Sequence, residues 1–268
     1  MNLKDITLGQ FFPGNSFLHR VDPRIKLAGL LVYVVALFLA NWFVTYGIML
    51  VLLVWGCAVA HIRAKTLLGG MKPVIFLLIF TAVLNMFYTP GTPLVSFWIF
   101  TITYEGILHA FFMVVRILML ICATFLLTYT TSPLALTDGL ESLLSPLKKV
   151  KVPVHELAMI MSIALRFIPT LIEETDKIMS AQRARGADFD SGGLIRKAKA
   201  LIPLLVPLFI SAFRRADELA TAMECRCYCG GTGRTRMREL HLRPADWLFL
   251  LGLVVVAVAV GLLAHVGL

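Results

Sequence analysis

Three cysteines stand at alternate positions, Cys225-x-Cys227-x-Cys229, and three thiolates could hold a soft metal if the chain were extended or looped there. On a helix, however, residues two apart point away from each other, and no fourth ligand is in reach of the spacing. The expectation is three small reduced side chains and no metal. The following Gly230-Gly231-Thr232-Gly233-Arg234-Thr235-Arg236 has the glycines of a phosphate loop but lacks its Gly-Lys-Ser/Thr ending and does not follow a strand. ATP is therefore expected on another chain. Arg116, with Glu105 and His109, lies in an apolar run where a charge is costly and must face protein or water. Those three residues could line a solute path or serve as helix-packing partners, and the second reading is preferred. No serine, histidine and carboxylate set, no paired carboxylates and no HExxH helix stands out, so no catalytic residues are assigned.

The elements that carry these residues are set by composition. Of 268 residues, 59% are hydrophobic and 15% charged, against roughly 45–50% and about 25% in soluble domains. Several apolar runs reach the roughly 20 residues that cross a hydrocarbon core of about 30 Å. The run from Leu27 to Ala60 is too long for one crossing and is expected to turn near Asn41–Gly47. Further spans are expected at Pro73–Tyr88, Gly106–Tyr129 and Trp247–Val266, five in all. The first 26 residues carry no signal-peptide core. Five cysteines in an odd set argue against a secreted disulfide framework.

A net charge of +9 would suit nucleic acid, but the placement of the basic residues points to membrane topology instead, and no nucleic-acid partner is expected. Residues 1–26 hold four Lys and Arg, 61–72 three and 131–244 seventeen, while 41–46, 90–105 and 267–268 hold none. By the positive-inside rule the N-terminus is cytoplasmic and the C-terminus outside. The apolar run Ala200–Phe213 is short for a crossing and has basic residues at both ends, so it is read as an interfacial or buried helix. Arg234, Arg236, Arg238 and Arg243 precede the last span and are expected to hold its orientation.

This divides the chain into 1–130 with four spans, 131–244 as a cytoplasmic helical segment, and 245–268 as the last span. Within the middle segment two amphipathic patterns are expected to pack on each other. The first carries Leu157, Met161, Ala164, Ile168, Leu171, Thr175 and Ile178, with Pro169 as a kink. The second carries Leu201, Leu205, Leu208, Ala212, Ala216, Leu219 and Met223. The two align at an offset of 41 residues: Asp176 with Asp217, Ile178 with Leu219, Ala181 with Ala222, Arg185 with Arg226. Each copy ends in Ala-x-x-x-Arg and then a glycine-containing break. Such arginines complement a helix dipole, but two matched tips also suit a dimeric partner with two acidic grooves.

The segment Leu18-His19-Arg20-Val21-Asp22-Pro23-Arg24-Ile25-Lys26-Leu27, the triplet Ala184-Arg185-Gly186 and the stretch Ala222-Met223-Glu224-Cys225-Arg226-Cys227-Tyr228 resemble the transmembrane T component of energy-coupling factor (ECF) transporters. The similarity runs over nearly the whole chain. It implies an all-α integral membrane protein of about five transmembrane helices, with a cytoplasmic coupling region of two long packed helices. It further implies a prokaryotic cell membrane, two ATPase subunits that hold the ATP, and a membrane S component that captures a vitamin or metal ion. Ala184, Arg185 and Gly186 at one tip, and Cys225, Arg226 and Cys227 at the other, would contact the ATPases, with Cys225 and Cys227 where the motif has Ala and Gly. The rival reading is a self-contained secondary transporter using Arg116, Glu105 and His109; a third is a membrane-bound enzyme built on the cysteine cluster.

Overall fold

The structure, a computed structural model, describes residues 11–97, 100–187, 189, 193–230 and 240–266. Its described residues divide into two compact units, one of residues 11–139 and 240–266, the other of 140–230.

The first unit is a helical bundle. After a single turn, α1 (Phe17–Arg20), come α2 (Pro23–Leu39), α3 (Phe43–Val59), α4 (Ala64–Tyr88), α5 (Tyr104–Thr130), the start of α6 (Pro133–Leu144), and α9 (Pro244–Val266). The long apolar run breaks at Ala40–Trp42, where Thr45 accepts a hydrogen bond from the Trp42 N–H at 3.1 Å and starts α3. The third span begins nine residues before its expected start at Pro73, which lies inside α4. The segment after Pro90-Gly91 is a two-stranded antiparallel hairpin, β1 (Pro93–Phe97) and β2 (Phe100–Thr103), with Ser96 opposite Thr101 and a bulge next to Pro93. Glu105 closes it, accepting hydrogen bonds from the Thr92 N–H at 2.8 Å and from its hydroxyl at 3.0 Å.

Among the described residues, four helices are long and apolar enough to cross a membrane, by length and composition alone: Lys65–Tyr88, Tyr104–Thr130, Val154–Ala184 and Pro244–His265, the third of which also carries Glu156, Arg166, Glu173, Glu174, Asp176, Lys177 and Arg183. The helices α2 and α3 have 17 residues each, about 25 Å, somewhat less than a hydrocarbon core. The architecture is that of an all-α membrane protein with one small hairpin. At its core Tyr33, Leu37, Met49, Leu53, Met119, Ala123 and Val260 are buried together. The helices α2 and α9 touch so closely at Gly29 that a Cβ there would lie 2.8 Å from a Leu253 methyl.

Polar residues fix the register of this bundle. Asp22 caps α2 by accepting from the Arg24 N–H at 2.9 Å, and Asp246 accepts from the Arg243 N–H at 2.9 Å and the Asp22 N–H at 3.4 Å. Lys26 donates to the Thr130 carbonyl at 3.0 Å and the Thr131 hydroxyl at 3.1 Å. The starts of α2 and α9 and the end of α5 thus lie at one end of the bundle. Fourteen residues along each helix, Arg116 of α5 donates to the Ala40 carbonyl at the end of α2, at 3.0 Å.

The second unit holds the end of α6, a 3₁₀ turn at Ser145–Val150, α7 (Val154–Ala184) and α8 (Leu194–Cys225). Pro169 in α7 and Pro203 and Pro207 in α8 lie within continuous helix. The run Ala200–Phe213 is part of α8, not a separate span. At the start of α7 the His155 ring pairs with the buried Glu141 carboxylate at 3.1 Å.

Candidate functional site

The two arginine tips have the same backbone. At the end of α7, Arg185 is the cap residue and Gly186 takes φ +86°. The Gly186 N–H donates to the Arg183 carbonyl and the Ala187 N–H to the Gln182 carbonyl, both at 3.0 Å. At the end of α8, Arg226 is the cap and Cys227 takes φ +55°. Here the Cys227 N–H donates to Glu224 at 2.8 Å and the Tyr228 N–H to Met223 at 3.1 Å. Both are Schellman closures, bond for bond. Glycine enters the left-handed region without penalty, and cysteine does so at the cost of a Cβ clash with its own backbone. The second tip therefore reproduces the first despite its different residue.

Both guanidinium groups are exposed, and among the described residues neither has an ion-pair or hydrogen-bond partner. Ala184, Gly186, Cys225 and Cys227 are exposed around them. Each tip presents a cation without a partner among the described residues, beside small neighbours, able to take a carboxylate in a bidentate grip.

Position comes from the crossing of α7 and α8. Glu174 accepts from Arg215 at 3.0 Å and also from the Ser211 hydroxyl. That hydroxyl, followed by the Arg215 charge, holds the Glu174 carboxyl below its ordinary range. Gln182 donates to the Pro203 carbonyl at 3.4 Å. This carbonyl has lost its usual helical partner four residues on, because Pro207 has no N–H. Moving toward the α7 tip therefore means moving back along α8, so the helices run antiparallel and the tips point apart. Each arginine lies 11 residues beyond the Glu174–Arg215 contact, Arg185 after Glu174 and Arg226 after Arg215. At 1.5 Å per residue the arms are about 16 Å, and the tips are at most about 35 Å apart.

The apolar stripes read from the sequence are only partly used in this packing. Ile168, Leu171, Leu208 and Ala212 are half-buried, but Leu157, Met161, Leu201 and Leu205 are 44–51% exposed, and Phe209 and Phe213 on α8 are 60% and 68% exposed. A crossing covers a few turns and leaves the remainder of a long stripe bare. Sequence reasoning missed Glu174, Ser211, Arg215 and Gln182. The 41-residue offset already related Glu174 to Arg215, and opposite charges at matched positions were the available signal.

The other candidates are dispersed. Arg116 lies with its guanidinium 5.4 Å from the Phe38 ring and 5.7 Å from the Tyr46 ring, bonded to Ala40. Glu105 is engaged with the hairpin, 11 residues away on the same helix. Arg116 acts as a packing residue, not as part of a cluster. Cys225, Cys227 and Cys229 are free thiols, and among the described residues no group of three metal-ligating side chains converges. Arg234, Arg236, Arg238 and the glycine loop after Gly230 lie outside the described residues.

Residues 14–237 match the family model for CbiQ, described as a cobalt transport protein. Proteins named energy-coupling factor transporter transmembrane protein EcfT are similar over nearly their full length. That of Clostridium kluyveri is 54% identical over 96% of this chain and 97% of its own. Those of Acidaminococcus fermentans and Ruminiclostridium cellulolyticum are 54% and 52% identical, covering 96% and 91% of both chains respectively. The fold and these matches define a multi-pass membrane transporter subunit. The chain belongs to the CbiQ family, among the EcfT-type transmembrane components of energy-coupling factor transporters.

Proposed function

We propose that this subunit transmits the closure of two ATPase subunits, through Arg185 and Arg226, to a membrane S component that carries a vitamin or metal ion. The observation that carries the reading is the pair of Schellman tips with the same backbone closure, each 11 residues beyond the Glu174–Arg215 contact and each with an arginine that has no partner among the described residues. A pair of equivalent cations suits a dimer of equivalent acidic grooves. ATP binds to the partners, and this chain needs no cofactor of its own. Its part is mechanical: rigid-body motion of the tips is carried along two crossed helices.

The exposed apolar stretches of α7 and α8 support a further partner, since a large bare apolar surface marks an interaction site. The S component is the proposed occupant. Residues 131–244 form the cytoplasmic coupling region, between the first four spans of 1–130 and the last span of 245–268. The charge asymmetry supports a cytoplasmic N-terminus and an outer C-terminus in the cell membrane of a prokaryote. The alternation of α2, α3, α4, α5 and α9 agrees, because the starts of α2 and α9 meet the end of α5. The secondary-transporter reading is not favoured, since Arg116 is bonded to the Ala40 carbonyl and lies 11 residues along the helix from Glu105, which is engaged with the hairpin.

The test is uptake into proteoliposomes containing the assembled transporter. Uptake that requires ATP hydrolysis on the side of the coupling helices is expected, and uptake without nucleotide would overturn the proposal.

A further inference from the structure

A cavity of about 340 Å³ lies between α2, α3, α5 and α9, within the range of roughly 300–1,000 Å³ for pockets that hold small ligands. Its walls are hydrocarbon, with Leu30, Leu52, Leu127 and Val256 among them, and Lys26 and Thr130 supply a polar end. Trp55 and Leu248 contribute to the lining and are 57% and 70% exposed, so the cavity opens sideways onto the outer face of the bundle. In a membrane that face meets lipid.

The polar end is specific about what it can accept. An ammonium group has three donors, and the Thr130 carbonyl and Thr131 hydroxyl take two of those on Lys26. One donor remains. Asp22 and Asp246 stand near enough to oppose the lysine's charge, so a full anion entering here would meet two carboxylates. A neutral acceptor suits the site better.

We propose that this cavity seats one acyl chain of a membrane glycerolipid, entering past Trp55 and Leu248, with its ester carbonyl accepting the remaining Lys26 N–H. The chain fills a dry apolar space that water would occupy poorly. The ester falls at the end of the bundle where α2 begins, the level at which lipid chains meet their headgroups. Binding is therefore set by the acyl chain and the ester, and not by the charge of the headgroup.

The full chain, purified in mild detergent, would be analysed by native mass spectrometry for retained phospholipid. Gly252 lines the cavity, and a Cβ added there meets nothing within 4 Å, so Gly252→Leu and Gly252→Phe start a side chain at the cavity wall without a Cβ clash. Gly47 on α3 is equally open and does not line the cavity, which makes Gly47→Phe the control. Wild type and Gly47→Phe are expected to retain a phospholipid through detergent washing, and the Gly252 variants to retain roughly tenfold less. Phosphatidylcholine and phosphatidylglycerol, added back, are expected to rebind alike. Equal retention in wild type and the folded Gly252 variants, or equal loss in Gly47→Phe, would overturn the site. A preference of about tenfold or more for the anionic lipid would overturn the ester assignment.

Discussion

Glu174 and Arg215, joined at 3.0 Å, occupy matched positions in two helices related by a 41-residue offset. Because this contact joins a residue to its own counterpart, both tips extend the same number of residues beyond it. The pair is partly exposed, and such pairs are worth about 0.2–1 kcal/mol. Glu174→Gln or Arg215→Gln is expected to lower ATP-driven uptake while leaving membrane insertion intact. The exchange Glu174→Arg with Arg215→Glu is expected to recover much of it, and uptake assays on the four chains check this.

The pH dependence follows from the same pair. A carboxyl held below its ordinary value contributes stability above that value and loses it as pH falls through the lowered one. The Glu174 contacts are thus expected to persist at about pH 5 and to fail only below the ordinary glutamate value of about 4.3. Spin labels at Ser180 and Ile202, measured in samples frozen across that range, would show the separation broadening only at the acid end.

Substitutions at the two tips should have opposite signs. Gly186→Ala places a Cβ at φ +86° and is expected to cost about 1–2 kcal/mol at that cap, whereas Cys227→Gly removes the same kind of strain at φ +55°. Hydrogen exchange of the amides that close each tip, Ala187 and Tyr228, would be faster in the first variant and slower in the second.

Arg116 separates structural from transport roles. Its removal strands the buried Ala40 carbonyl, so Arg116→Met is expected to destabilise the bundle by about 1–3 kcal/mol. Uptake per folded complex is expected to be unchanged. Loss of uptake with thermal stability intact would instead place Arg116 on a solute path.

Much of this architecture can be read from the residues alone, because hydropathy and charge act locally. Leu27–Ala60 had to fold back, and the two arginines announced themselves by their flanking residues and their spacing. Long-range polar contacts are less legible. Nothing near Lys26 in sequence shows that it will meet Thr130 and Thr131, and Asp246 is 224 residues from Asp22. The apolar stripes misled in part: periodicity marks a face to be covered, but it does not say whether this chain, a partner or lipid covers it. The left-handed Cys227 was signalled only by its standing where the motif has Gly, since propensity alone disfavours what the Schellman closure enforces.

The most direct measurement is co-purification of ATPase subunits with the wild-type chain, Arg185→Glu, Arg226→Glu and the double variant. Weakened association is expected in each single variant and loss in the double, with every chain still inserted in the membrane. Unchanged association in the double variant, or no ATPase with wild type, would contradict it.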